Sequence, residues 1–524
     1  MTPWRARRLR RLLALWGPLV VISVTSFVVA LISWRHIEAT LSPAERYDRA
    51  LSNDDDRAAE EIAWRMVRRD PKRLPWWIRF TDAHADLIGD DEETSSISDA
   101  AIRRELAAVS DSRVNAIESY FYALRTHSGE ADSSAVLPLA DVNPPVPYAN
   151  FVIAEGALAK KDRHAAAIRY EREGYSSSEI RRSCQRRALG TWIAGDDWDA
   201  VRKRVNDPRW AAAVDASLRA DLAVHDRDVF GVLLWTWPAS YVGITVWPVV
   251  LALIAGALWF WIAARLGRIH DAVSGRVLLY AGSVVLGVLS IYPTLLTVTI
   301  EDELGFREVG QFVPDLIYNV FGIGLREEAW KALLFLPLLP ALLRRGSRIE
   351  AMTCGALVGL GFAGEENIGY FEHGGGAALS RFLTANFLHM SLTALVALSM
   401  FDTARKRVTS RDAFKTVFPL AVAIHGAYDF CLGSNDLPLS SLFSIILLIV
   451  IARRFLRQLL IASSRDDERD VLNLFVAAMA AIAGVAYIYA TTQVGPLEAS
   501  RLIALGTFSV AAVIWMFVYE LRPS

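Results

Sequence analysis

Cysteine is almost missing: the 524 residues contain three, with Cys184 in a polar region and Cys354 and Cys431 in apolar ones. That excludes a disulfide framework, and no CxxC pair exists to hold a metal knuckle. The chain also lacks an HExxH helix, the signature of many zinc proteases. Neither sign of charge is in excess, since 56 Lys and Arg stand against 57 Asp and Glu for a formal net charge of -1. With no basic tract beyond the ends of apolar segments, nucleic acid is excluded as a partner.

Apolar sequence is what the chain has in quantity: 53% of residues are hydrophobic, with a mean hydropathy of +0.28. The distribution is uneven. Residues 38–228 are rich in charge and helix-prone, whereas the N-terminus and nearly everything after Val229 come in apolar blocks long enough to cross a bilayer. The pattern predicts an all-α protein, a polytopic membrane helix bundle with about ten crossings and one soluble helical domain. Four regions follow: an anchor at 1–37, the soluble domain at 38–235, a membrane core at 236–452 and a C-terminal helical pair at 453–524.

Arg5, Arg7, Arg8, Arg10 and Arg11 precede an apolar run over 16–34. A cleaved signal peptide is the competing reading, but the run is longer than a signal core and no A-x-A site follows, which favours a retained helix. Later spans read as 242–264, 277–300, a segment from 316–324 to 343, 351–371, 382–401, 414–432, 439–452, 471–491 and 502–519. Arginines fall in every second loop, at Arg265, Arg268 and Arg276, Arg344, Arg345 and Arg348, Arg405, Arg407 and Arg411, then Arg453, Arg454, Arg457 and Arg465. Under the positive-inside rule this alternation puts both termini in the cytoplasm and residues 38–235 outside.

The soluble region alternates helical patterns with breaks such as Asp70-Pro71, Asn143-Pro144-Pro145 and Asp207-Pro208. Asp162-Arg163-His164-Ala165-Ala166 is echoed by Asp197-Trp198-Asp199-Ala200-Val201, and Asp56-Arg57-Ala58-Ala59 lies about three such periods upstream. The period suits paired helices of the tetratricopeptide kind; an irregular helical domain with a chance match is the alternative. Trp64, Trp76, Trp77, Trp192 and Trp198 are expected in its core.

Polar groups inside the apolar segments are few and grouped. Glu327, Glu328 and Lys331 share one arc of a helix, with Glu366 and Asn367, His389, and His425 with Asp429 on three further segments. Counting about 1.5 Å per residue from the cytoplasmic helix ends puts them all roughly 16 to 24 Å deep, in one layer. Buried charge costs roughly 2.5–3.5 kcal/mol per group at membrane depth, so such residues mark a functional interior by default. Each also has a structural reading: Glu327 with Lys331 as an ion pair, His389 as an interhelical hydrogen-bonding group, His425 and Asp429 satisfying each other. Arg326 points away from this arc.

The ordered motifs Glu327-Glu328-x-x-Lys331, Gly361-Phe362-Ala363-x-x-Glu366-Asn367-x-x-Tyr370, His389 within a span, and His425-Gly426-x-Tyr428-Asp429-Phe430 resemble those of the PrsW family of intramembrane proteases. That family is similar to the CAAX-processing glutamate proteases. The resemblance covers about residues 277–452 and leaves out the soluble insert. It implies a protease of the bacterial cytoplasmic membrane acting on membrane-tethered protein substrates of the anti-sigma-factor type, with Glu327, Glu328, Glu366, His389 and His425 as catalytic residues and Lys331, Asn367 and Asp429 in support. The motif spacing selects Glu366 over its neighbour Glu365.

Two versions of the chemistry stay open. In the first no cofactor is required: Glu327 or Glu328 activates water, His389, Asn367 and His425 orient it and donate to the oxyanion, and Asp429 fixes the His425 ring. In the second, zinc is held by His389, His425 and Glu366, and another glutamate is the base. The lack of HExxH favours the first. An ion- or proton-coupled transporter is the alternative from another class, as is a non-catalytic scaffold; repeated broken helices would support transport, and none is evident.

Overall fold

The computed structural model describes residues 3–89, 95–126, 131–176, 179–267, 275–373, 378–405, 413–433, 440–462 and 468–521. Arg268, Arg407, Arg411 and Arg465 of the expected basic loops lie outside these. The chain is 85% helix, with no strand among the described residues. It divides into two compact units, residues Ile37–Val242 and residues Met1–His36 together with Gly243–Ser524.

The unit Ile37–Val242 is built of short amphipathic helices stopped and restarted by acidic caps. Asp55, Asp162 and Asp197 each accept a hydrogen bond from the backbone N–H three residues on, at 2.9, 2.9 and 3.0 Å. Each such cap is worth about 1 kcal/mol. The residue before each cap is left-handed, with φ of 54° at Asp54, 61° at Lys161 and 59° at Asp196, and Arg227 repeats this at 54°. In all four turns the following N–H closes on the carbonyl five residues back: Asp55 on Ala50, Asp162 on Ala157, Asp197 on Trp192 and Asp228 on Ala223, at 2.9–3.0 Å. The 35-residue echo therefore corresponds to one turn used again. Its upstream copy is capped by Asp55 rather than Asp56, one residue earlier than the sequence alignment placed it.

Two cores fill this unit. Tyr47, Trp76, Trp77, Phe80 and Tyr122 anchor the first, with Trp64 partly buried against Phe80 at 4.7 Å between rings. Phe121, Tyr170, Trp192 and Trp210 anchor the second, and Trp198 stacks on His225 at 4.5 Å.

Among the described residues, six helices are long and apolar enough to cross a membrane: Gly17–Thr40, Val246–Leu266, Arg276–Glu303, Ala378–Ala404, Ala413–Gly433 and Val471–Ser509. The remaining expected segments are helical but fall short of that description for identifiable reasons. Pro337 and Pro340 break the one after Gly324 into Leu325–Phe335, Leu336–Leu338 and Leu339–Arg345. Glu365, Glu366 and Asn367 interrupt Arg348–His373, Arg453, Arg454 and Arg457 interrupt Ser440–Ala462, and Ala511–Glu520 is short. The two last expected spans are also divided differently: Glu468–Ser509 runs on past Thr491 and bends at Gly495, where φ is 81° just before Pro496.

Apolar side chains gain little by leaving lipid for one another, so packing and interhelical hydrogen bonds must hold such a bundle. Helix Ala385–Ala404 lies at its centre, packed by Arg348–His373, Ala413–Gly433 and Ser440–Ala462. Gly359 permits a close approach to it: a Cβ there would lie 2.3 Å from the carbonyl oxygen of His389. On the other side Trp259 donates its Nε1–H to Phe382 O at 2.6 Å and contacts Phe387, Phe475 and Phe517.

Candidate active site

Residues Tyr318–Gly324 form a π-helical stretch directly before Leu325–Phe335, an irregularity that concentrates at functional sites. It seats on helix Ala413–Gly433 at Gly426, where a Cβ would lie 2.4 Å from Asn319 O and Val320 Cα. The contact brings the first turn of Leu325–Phe335 against His425, the residue before that glycine. Glu327, Glu328 and Lys331 are all buried.

Lys331 is the hub. Its Nζ lies 2.7 Å from Glu328 Oε1, 3.6 Å from Glu327 Oε2 and 3.0 Å from His389 Nδ1, and 4.3 Å above the Phe362 ring. Sequence reasoning put Lys331 between the two glutamates; it sits closer to Glu328. Glu328 Oε1 also meets His425 Nδ1 at 2.9 Å, and Asp429 Oδ2 faces His425 Nε2 at 3.3 Å, so carboxylates flank both ring nitrogens. The His389 and His425 rings lie 5.0 Å apart and nearly perpendicular.

Oε2 of both glutamates is buried without a hydrogen-bond partner, but Glu328 is tied through Oε1, whereas Glu327 Oε2 faces His425 Nε2 at 3.6 Å, Lys331 Nζ at 3.6 Å and His389 Nδ1 at 4.0 Å. These separations are too long for direct hydrogen bonds. A water oxygen about 2.8 Å from each neighbour spans such gaps at a bent angle.

Glu366 Oε2 lies 3.1 Å from His389 Nε2. It joins the cluster from the far side of His389, and one donor atom each from Glu327, His389 and His425, not Glu366, lie within 4.8 Å of one another. If a metal is held, the structure replaces Glu366 by Glu327 in the expected donor set, because Glu366 is engaged by His389 and by Arg381 Nη2 at 3.3 Å. Asn367 is likewise turned aside: its Nδ2 donates to Asn386 Oδ1 at 2.5 Å and its Oδ1 accepts from Arg381 Nε at 2.5 Å, so the amide does not face the Glu327 gap as an oxyanion donor must. Arg326 is buried in an ion pair with Glu301, directed away from the Glu–Lys cluster.

Arg381 and Asn386 were missed in the sequence. The available signal was Arg381 itself, an arginine on the side of the bundle where the loop charges leave few.

A His2Glu donor set with an unsatisfied carboxylate oxygen at its centre fits a divalent ion. Zinc bound at about 2.0–2.2 Å sets neighbouring donors roughly 3.4 Å apart, near the 3.6 and 4.0 Å found here. The same His389 Nδ1 already accepts from Lys331.

Residues 275–454 match a family model described as PrsW family intramembrane metalloprotease, with residues 1–274 and 455–524 outside the match. No curated protein and no solved structure matches the chain.

Proposed function

We propose, from the match of residues 275–454 to the PrsW family of intramembrane metalloproteases, that the chain hydrolyses a peptide bond in membrane-tethered protein substrates near the outer leaflet, by a glutamate-based mechanism. The observation that carries this reading is the unpartnered, buried Glu327 Oε2 facing two histidines and a lysine. Glu327 takes a proton from a water held in that gap as the water oxygen attacks the substrate carbonyl carbon. The Lys331 N–H not engaged by Glu328 or His389 donates to the oxyanion, and when the C–N bond breaks the proton held by Glu327 passes to the leaving nitrogen. Glu328 keeps Lys331 and His425 in place, and Asp429 orients the His425 ring.

The metal reading is favoured by the Glu327, His389 and His425 grouping. Those three residues would hold the ion, which when bound supplies Lewis acidity and a more acidic water. The metal-free version is preferred because the Lys331 ammonium already supplies a cation in this space, donating to His389 Nδ1 and pairing with Glu328.

In the cell we place the protein in a bacterial cytoplasmic membrane with about ten crossings, both termini inside and residues 38–235 outside. The soluble unit, with its repeated turn, serves in this reading as a tetratricopeptide-like module that selects the substrate, a tethered protein of the anti-sigma-factor type.

Purified protein reconstituted with a tethered substrate tests the chemistry. We expect cleavage that survives rigorous chelation, with no stoichiometric metal in the preparation. Stoichiometric zinc that disappears on changing His389 or His425, together with loss of activity on chelation, replaces the glutamate version by the metal one. Cleavage that persists in the Glu327→Gln, Glu328→Gln double variant overturns both.

A further inference from the structure

Arg381 lies on the short helix Ala378–Leu383, just before the helix that carries His389. Thr384, at φ -105° and ψ -73°, separates the two. The Arg381 side chain is 16% exposed and reaches back to helix Arg348–His373 in three ways. Nη2 lies 3.3 Å from Glu366 Oε2, Nε donates to Asn367 Oδ1 at 2.5 Å, and the guanidinium lies over the Tyr370 ring at 3.5 Å. The planar fork is therefore fixed on three of its sides, which a lysine cannot reproduce.

The effect of that fixation passes through Glu366. Its Oε2 is shared between Arg381 and His389 Nε2. On the opposite edge of the imidazole, Nδ1 faces the Lys331 ammonium at 3.0 Å. An ammonium has donors only, so Nδ1 accepts, and the ring proton sits on Nε2 and is donated to Glu366. This tautomer turns the Nδ1 lone pair toward Lys331 and the Glu327 gap.

We infer that Arg381 is a positioning residue: by anchoring the Glu366 carboxylate it fixes the Nε2–H tautomer and the orientation of His389. The role extends the proteolytic reading given above, but the tautomer itself does not depend on it. In the glutamate version the inward Nδ1 lone pair accepts from Lys331 and so helps to place that ammonium, and in the metal version it would be the His389 donor, so the role is common to them. Outer partners that fix a histidine in this way are typically worth 10- to 100-fold in activity or affinity.

The test uses the full chain in detergent or proteoliposomes. Arg381→Gln is expected to lower kcat 10- to 100-fold with KM within about threefold, and Arg381→Lys to recover part of the loss. In a Glu366→Gln background Arg381→Gln should cost little more, because the path through Glu366 is already cut. Histidine 15N spectra, with His389 assigned by its loss in His389→Gln, should show a single Nε2–H tautomer in the wild type and a mixture in Arg381→Gln. An unchanged tautomer in Arg381→Gln overturns the inference whatever happens to the rate, as does additivity in the Glu366→Gln background. If Arg381→Gln does not purify as a monodisperse protein, the spectrum of Arg381→Met, which likewise lacks the charge, decides in the same way. Wild-type protein that shows the single tautomer but cuts no substrate sinks the proteolytic reading and leaves the positioning role standing.

Discussion

Glu328 and His425, 97 positions apart in the chain, meet at 2.9 Å between Oε1 and Nδ1, and the same carboxylate oxygen holds Lys331 at 2.7 Å. One carboxylate oxygen thus holds an ammonium from its own helix and an imidazole from another. Glu328→Ala leaves Lys331 buried without its nearest counter-charge, and breaking a buried pair in this way costs about 3–5 kcal/mol. The variant should unfold at markedly lower temperature in detergent, and adding Lys331→Met should restore part of the loss. Thermal unfolding of the two variants within error of wild type would show that the pair does not hold the helices.

Glu327 should behave in the opposite way. Its Oε2 has no hydrogen-bond partner to lose, so Glu327→Gln is expected to leave the unfolding temperature near wild type while cutting cleavage about 10²- to 10⁴-fold, the usual effect of removing a general base. A variant that loses stability and keeps activity would exchange the roles assigned to the two glutamates.

The unit Ile37–Val242 carries a pH dependence of its own. Glu118 is fully buried and neither carboxylate oxygen has a hydrogen-bond partner. Burial pushes its carboxyl well above the ordinary value of 4.5, and the charge of Asp82 pushes it further. The folded unit therefore keeps a proton that the unfolded chain releases. Its stabilising effect is complete below the ordinary carboxylate value and fades as pH rises toward the raised folded one. Glu118→Gln should slow hydrogen exchange around Ser112–Thr126 at pH 7.5, and the difference from wild type should close near pH 4. A difference that grows on acidification would contradict this linkage.

Topology is checked with reporters inserted at about residues 130, 346, 408 and 460, of which 130 and 408 lie outside the described residues. The loop arginines predict an external signal at the first and cytoplasmic signals at the other three. A cytoplasmic signal at residue 130 reverses the placement of the site in the outer leaflet.

Much of this was legible because membrane depth makes polar residues rare. Glu327, Glu328, Lys331, Glu366, His389, His425 and Asp429 stood out against apolar sequence, and the structure brings them together. Their pairings were not legible, since these depend on interhelical contacts made at glycines such as Gly426, whose partner Asn319 is 107 residues away. Nor could spacing show that Asn367 turns to Asn386 and Arg381, or that Glu366 stands behind His389. Arg381 sits at the head of a span, where a cation reads as an ordinary boundary marker. The repeated turn was visible only as an echo, because its left-handed position is filled by Asp, Lys or Arg instead of the glycine that usually signals it.

Each of those turns closes on a carbonyl five residues back, so it needs nothing from distant sequence in order to form. Contacts of such low sequence separation assemble in microseconds to milliseconds. Glu328 and His425 can meet only after two helices and everything between them have found their places. The chain therefore has two clocks: the turns of Ile37–Val242 form from local sequence alone, whereas the cluster of Glu328 and His425 waits for its helices to dock.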